Sequence, residues 1–196
     1  MDFAEVLRRR KAVRNYLPDA IPPETVERIV GRGRRAPSGG FSQGVRMVVV
    51  TDEATRRRVA ELAEEPEYVA HGFAPWISTA PVHVVLCVRE YDYHDRYREP
   101  DKLQEDGTEI DWPIPYWWVD AGAAMMLLLL AAVDEGLGAG MFGVLDWQPL
   151  KALLGIPADI APLAVVTIGK PAPEERKGSA RRGWRPIDDV VHWERW

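Results

Sequence analysis

VDAGAAMMLLLLAAVDE, residues 119–135, reads as the clearest helix of the chain. Asp120 is a candidate N-cap, and Gly136 stands where helices commonly close. Between Ala121 and Val133 no side of this helix is polar, so it requires cover all round, either at the centre of a domain or between subunits. The apolar run falls short of the ~20 residues that span a bilayer. Outward from it, residues 46–51, 81–88 and 162–169 are apolar and β-branched enough to be core strands, and VHVVLCV reads as buried on both faces. Helices are expected over residues 2–11, from Pro22-Pro23 with Val26, Ile29 and Val30 inward, over 52–64, and over 147–154; residues 66–80 are helical but irregular. Val13 to Leu17 alternates apolar and polar as a short strand or extended arm that Pro18 stops.

Two stretches break this pattern. Residues 35–50, RAPSGGFSQGVRMVVV, pass from a loop too rich in Gly and Ser to pack by itself into a buried strand, the usual place for a ligand-holding rim in a protein of helices and strands. Residues 89–118 hold most of the central acids and many aromatics, ending in Pro113-Ile114-Pro115-Tyr116-Trp117-Trp118, with no periodicity. A structureless stretch of that length suits a lid, a substrate-binding insertion or a partner contact, or a surface insertion packed by its own aromatics.

Composition narrows the function. The net charge of −5 conceals 13 Lys+Arg against 7 Asp+Glu over residues 1–58, 4 against 16 over 59–135, and 8 against 7 over 136–196. Such a chain lacks the broad basic footprint of a nucleic-acid binder. The acid at position 2 and the absence of a long apolar core after it argue against a secretory signal, and the expected location is the cytoplasm. A single cysteine, Cys87, leaves no disulfide framework and no multi-cysteine metal site, and its place in a buried strand makes it an inert core thiol. His71, His83, His94 and His192 are scattered and belong to no hydrolytic or metal motif, so neither a metal site nor hydrolytic catalysis is expected. Gly138-x-Gly140 does not fit a dinucleotide fingerprint. The remaining chemistry is that of a planar, phosphate-bearing cofactor. The basic clusters at 10–14 and 181–185 suit a phosphate, the Ser38 and Gln43 side chains a polyol, and backbone amides at 140–144 a ring edge that gains electrons.

These segments, in this order, resemble the nitroreductase-like family of FMN-dependent oxidoreductases. Arg10-Lys11-Ala12-Val13-Arg14-Asn15-Tyr16 resembles the family's opening Arg-Arg-Ser-x-Arg-x-Phe motif, which binds the FMN phosphate. Ala36-Pro37-Ser38-Gly39-Gly40-Phe41-Ser42-Gln43 resembles its Ala-Pro-Ser-x-x-Asn-x-Gln loop along the ribityl chain and ring. The glycine-rich segment through Met141, Phe142, Gly143 and Val144 is similar to the one whose backbone amide faces flavin N5, and Arg182 and Arg185 match C-terminal basic residues that return to the phosphate. Ala12 departs from the usual Ser, Phe41 from the usual Asn, and Gly44-Val45 from the usual Pro-Trp. The Gly39-Gly40-Phe41 form is closer to the branch with the flavin-cleaving enzyme of cobalamin lower-ligand synthesis.

The resemblance implies a single α+β domain over residues 1–196, with a central mostly antiparallel, mixed sheet flanked by helices. It also implies a homodimer with an FMN site at each side of the interface, helix 119–135 at its centre and a tail over 170–196 that embraces the partner. The implied activity is reduction of an electron-poor small molecule, a nitroaromatic or quinone, with NADH or NADPH as donor. Phe41, Tyr116, Trp117 and Trp118 would bind the substrate. The alternatives are an enzyme acting on its own flavin or on a halogenated aromatic, and a flavin-binding sensor without turnover.

Overall fold

In the computed structural model, which describes residues 1–173 and 182–196, strand β2 (Val82–Val88) lies at the centre, with all its residues buried. β1 (Val45–Val50) flanks it on one side. β4 (Ala161–Gly169) and then β3 (Gly138–Phe142) follow on the other, so the order is β1-β2-β4-β3. All three pairings are antiparallel, registered by Val50 opposite His83, Val84 opposite Val166, and Phe142 opposite Val165. The sheet is therefore the expected antiparallel core, and its mixed character comes from outside the strands, where Ala12 bridges Ala139 in parallel; Tyr16 bridges Pro171 antiparallel.

Because side chains alternate across a strand, β2 serves two cores at once. Val82, Val84, Leu86 and Val88 point to one layer, where they meet Val26 and Ile29 of α2 (Pro23–Gly33) and Ala121, Ala124 and Leu128 of α7 (Tyr116–Asp134). Val85 and Cys87 point to the other, with Val59 of α3 (Glu53–Leu62), Ile77 of α5 (Trp76–Thr79) and Leu150 of α8 (Trp147–Leu154). Burying each such Val or Leu stabilises the fold by about 1.5–3 kcal/mol before the entropic cost of ordering it. The caps follow the expected chemistry: Asp2 accepts from the Glu5 amide at the start of α1 (Phe3–Arg9), and Asp52 from the Thr55 amide at the start of α3. A short helix α4 (Glu65–Ala70) precedes α5, matching the irregular helical stretch.

Three expectations require correction. Residues 89–118 are not structureless, since α6 (Tyr91–Tyr97) forms within them; its period is hidden because Tyr93 alone is fully buried. The long helix begins at Tyr116, so Asp120 is not a cap but an interior residue. At 19 residues, α7 is long and apolar enough by composition to cross a membrane, and 44% of its most apolar stretch is buried, against α2, α1 and the sheet. Finally, residues 138–142 form an edge strand, unrecognised in the sequence because Gly and Ala have little β propensity.

The small residues of β3 have a steric reason. The chain after α1 lies along this edge, with the Val13 amide donating to the Ala139 carbonyl at 3.0 Å and the Leu17 amide to the Lys170 carbonyl at 2.9 Å. A Cβ on Gly140 would collide with the Val13 carbonyl oxygen. Gly140→Ala is expected to lower the unfolding free energy by about 2 kcal/mol, as forced overpacking does, and to speed hydrogen exchange at the Val13 amide. Urea denaturation and exchange measurements check the two effects.

Candidate functional site

The arm after α1 and strand β3 bring the first set of predicted residues together. Arg10 closes α1 through its amide bond to the Val6 carbonyl, Lys11 is exposed, and Ala12 bridges Ala139. The Tyr16 hydroxyl locks the arm down: it donates to the Val13 carbonyl at 2.9 Å and lies 2.9 Å from Thr167 Oγ1. The Arg14 guanidinium sits over the rings of Phe73 and Trp76, 5.8 and 5.9 Å from their centroids. At the end of β3, Met141 is exposed and Phe142 is buried, its ring edge-on to Trp76 and His83 at 5.6 and 6.3 Å. Gly143 is exposed and Val144 packs at the margin of the second core. Neighbouring basic residues are engaged elsewhere: hydrogen bonds from Arg8 and then Arg9 hold the Glu5 carboxyl down to about 2.

The second set, on residues 36–43, lies at the opposite edge, where the loop enters β1. Two strands separate it from β3, roughly 14 Å at ordinary strand spacing. The loop is tightly held. Ser38 Oγ accepts from the Gln43 amide at 3.0 Å, and Arg96 Nε donates to the Gly40 carbonyl at 2.9 Å. Asp120 Oδ2 accepts from both the Gly39 amide at 2.9 Å and the Tyr93 hydroxyl at 2.7 Å. Burial, reinforced by the Asp120 carboxylate, raises the Tyr93 hydroxyl above its ordinary pKa, so it stays a donor. Under this tether Phe41 and Gln43 adopt left-handed backbone, with φ of 61° and 53°. That conformation is costly for non-glycine residues and persists only where surroundings enforce it. Its result is that Phe41 stands 74% exposed. Pro37 and Gln43 are also exposed.

The third set divides. Tyr116 is exposed and Trp118 half-buried, whereas Trp117 is buried among Tyr93, His94 and Trp112, each within about 6.1 Å between ring centroids. Arg182 and Arg185 are exposed, and Arg181 of the same basic cluster lies outside the described residues, as does part of the predicted tail. Burial pushes the Cys87 thiol up to about 11, which leaves it protonated and unreactive.

Sequence reasoning did not single out Asp120, Tyr93, Trp76 or His83 as parts of this arrangement. Asp120 did carry a signal: an acid within an apolar helix needs a partner wherever it is buried. The others are ordinary core residue types, and only the fold puts them beside Arg14, Phe142 and the loop.

The model of the Nitroreductase family matches residues 7–170. The chain is 29% identical over 189 residues to a Bacillus subtilis strain 168 protein named FMN reductase [NAD(P)H], covering 94% of this chain and 70% of that protein. It is 30% identical over 191 residues to the 5,6-dimethylbenzimidazole synthase of Rhodospirillum rubrum, covering 90% of this chain and 85% of the relative. Its fold superimposes on the crystal structure of a nitroreductase family protein from Streptococcus pneumoniae TIGR4 with a TM-score of 0.75, at 20% identity over 97% of this chain and 99% of the other.

Asp120→Ala leaves the Gly39 amide and the Tyr93 hydroxyl without their acceptor, and a loss of about 3 kcal/mol in unfolding free energy is expected. Asp120→Asn keeps an acceptor oxygen and is expected to lose less, both measured by urea denaturation. His83 gives a pH signature. Its Nε2 faces the Ile77 carbonyl at 2.7 Å and therefore carries the proton, while Nδ1 and the nearby Trp76 Nε1 are buried with no hydrogen-bond partner among the described residues. Burial lowers its pKa from 6.5 to about 4. Between those values the unfolded chain binds a proton that the folded one refuses. The associated stability is complete above pH 6.5 and lost as pH falls toward 4, on the order of 3 kcal/mol in all. His83→Leu is expected to flatten that part of the stability profile when urea titrations at successive pH values are compared with wild type.

Proposed function

Because the chain belongs to the Nitroreductase family, we propose that it is an FMN-dependent oxidoreductase that takes electrons from NADH or NADPH and reduces a flat, electron-poor small molecule such as a nitroaromatic or quinone. The observation that carries this reading is the seam between arm and β3: the bridge from Ala12 to Ala139 sets Arg10, Lys11 and Arg14 beside the segment that ends in Met141, Phe142, Gly143 and Val144. The donor set fits the cofactor. Guanidinium and ammonium groups suit a phosphate, the Ser38 and Gln43 side chains suit a polyol, and the small residues of β3 let backbone approach a ring. Arg182 and Arg185 are assigned to the same phosphate.

FMN, when bound, supplies the electron-carrying chemistry between donor and acceptor. The protein holds and shapes. Trp76 and Phe73 lie under the Arg14 guanidinium, which would hold the phosphate, and the Trp76 and His83 rings pack edge-on against Phe142, which would keep the backbone at 141–144 in place. Phe41, held out by its strained backbone, offers an apolar face to a flat molecule. Tyr116, Trp117 and Trp118, in the excursion over 89–118, wall the acceptor's side.

In the same reading the enzyme is a cytoplasmic homodimer, its sites completed by the 36–43 loop of a second copy. Two features support this: the two halves of the site occupy opposite edges of one sheet, and a good deal of apolar surface is uncovered. Val119 and Met126 on α7 are 53% and 45% exposed, and Trp184, Trp193 and Trp196 on the tail are almost fully so.

Purified protein is expected to show a flavin spectrum, to bleach anaerobically on addition of NADH or NADPH, and to sediment as two 22.1 kDa chains. Protein that remains colourless after FMN is added overturns the reading. A second reading, action on the enzyme's own flavin, is favoured by the 30% identity to a protein named 5,6-dimethylbenzimidazole synthase. Loss of the bound flavin's spectrum under air with a reductant, with a new aromatic product in solution, selects it.

A further inference from the structure

Helix α6 underlies the 36–43 loop, and Arg96 joins the two. The Arg96 side chain is 23% exposed and directs four of its five N–H groups at oxygens. Nε donates to the Gly40 carbonyl at 2.9 Å. Nη1 donates to Glu99 Oε2 at 2.8 Å and to Asp101 Oδ1 at 2.7 Å, and Nη2 donates to Asp101 Oδ2 at 2.7 Å. A guanidinium is planar and rigid, so two carboxylates on its Nη end fix the direction in which Nε–H points. The bond from Arg96 holds the Asp101 carboxyl down to about 2, and the clamp stays charged at any ordinary pH. Aromatic rings complete the support. Tyr97 lies so near Gly40 that a Cβ there would stand 2.7 Å from its Cε2, and Trp112 packs on Tyr97 at 4.6 Å between ring centroids.

What Arg96 holds is the peptide unit between Gly40 and Phe41. The carbonyl of that unit accepts from Arg96, and its N–H, the Phe41 amide, donates to the Ser38 carbonyl at 2.9 Å. The plane is thereby fixed from both sides, with Gly40 at φ 57° and Phe41 at φ 61°. Rotating this one plane by half a turn changes only ψ of Gly40 and φ of Phe41. Glycine accepts either value, and Phe41 would leave the left-handed region that a side chain disfavours. Local preference therefore favours the rotated plane, and a bond from a charged donor opposes it. The direction of the exposed Phe41 ring depends on which of the two prevails.

We propose that Arg96 is a positioning residue of the substrate site: by holding the Gly40 carbonyl it keeps the Phe41 ring where a flat acceptor stacks on it. Through Glu99 and Asp101 it makes the acidic segment after α6 part of the same support. Arg96 acts through Phe41 and touches no substrate itself. The Asp120 bond to the Gly39 amide fixes where the loop sits, and Arg96 fixes which way its ring faces. This rests on the reading of the chain as a reductase of flat, electron-poor molecules with Phe41 at their site.

The test is a double-variant cycle read by calorimetric titration of the oxidised protein, its flavin content recorded, with 1,4-naphthoquinone. Arg96→Met and Phe41→Ala are each expected to weaken binding about tenfold, the first because about a tenth of the molecules keep the competent loop. The double variant is expected to bind as Phe41→Ala does, since no ring is left to position. Arg96→Lys, which returns one donor, is expected to recover part of the loss. Hydrogen exchange at the Phe41 amide, followed by NMR, is expected to quicken about tenfold in Arg96→Met while the amides of β2 keep their protection. Losses that add in the double variant, wild-type affinity in Arg96→Met, or a wild-type protein that does not bind the quinone overturns the proposal. Where Arg96→Met does not fold, the cycle is run with Arg96→Lys, and additivity there overturns the proposal equally. Reduction of the bound flavin by NADH or NADPH is followed on the same samples. Its absence overturns the redox reading alone, since affinity and exchange are read without turnover.

Discussion

A strand with no exposed residue requires an apolar layer on each side, and in this protein that strand is β2. Its even-numbered residues collect α2 and α7, and Val85 and Cys87 collect α3, α5 and α8, so that the layers of the molecule follow from the two-residue period of one segment. Once both faces of the sheet are covered, only its edges and ends remain for a ligand. The β3 edge is lined by the arm that carries Arg10, Lys11 and Arg14, and the β1 edge is entered by the loop that carries Ser38, Phe41 and Gln43. The division of the candidate flavin site into two halves is thus a consequence of how the sheet is buried.

Within that frame, Asp120 joins parts of the chain that are far apart in sequence. A carboxylate inside an apolar helix is costly unless fully bonded, and this one is satisfied by the Gly39 amide from the loop and the Tyr93 hydroxyl from α6. The same bonds hold the loop in a conformation that Phe41 and Gln43 would not adopt unaided. Local strain and the buried charge are therefore two sides of one arrangement whose outcome is an exposed aromatic ring at a fixed place. On the other edge, Trp76 has a comparable role, touching both the Arg14 guanidinium and the Phe142 ring.

Much of this was legible before any coordinates, and the exceptions have physical causes. The three core strands and most of the helices declare themselves through their hydrophobic period, and VHVVLCV is buried on both faces. Strand β3 was hidden because its glycines answer to the closeness of the Val13 carbonyl and not to any strand preference. Helix α6 was hidden because its polar residues serve long-range partners, Arg46 to Asp92, His94 to Glu109 and Arg96 to Gly40.

The sequence alone determined the layered α+β class and the segments whose chemistry suits a phosphate-bearing flat cofactor, because hydrophobic period, turn residues and clustered arginines are local properties. Tertiary structure decided which of those segments are neighbours. It set the arm against β3 and the loop on the far edge, made an apparent cap at Asp120 into a buried anchor, and turned His94, unremarkable among scattered histidines, into part of a bonded group with Glu109. These outcomes depend on contacts between residues tens of positions apart, and no local pattern encodes which distant group will satisfy a buried acid or orient an imidazole.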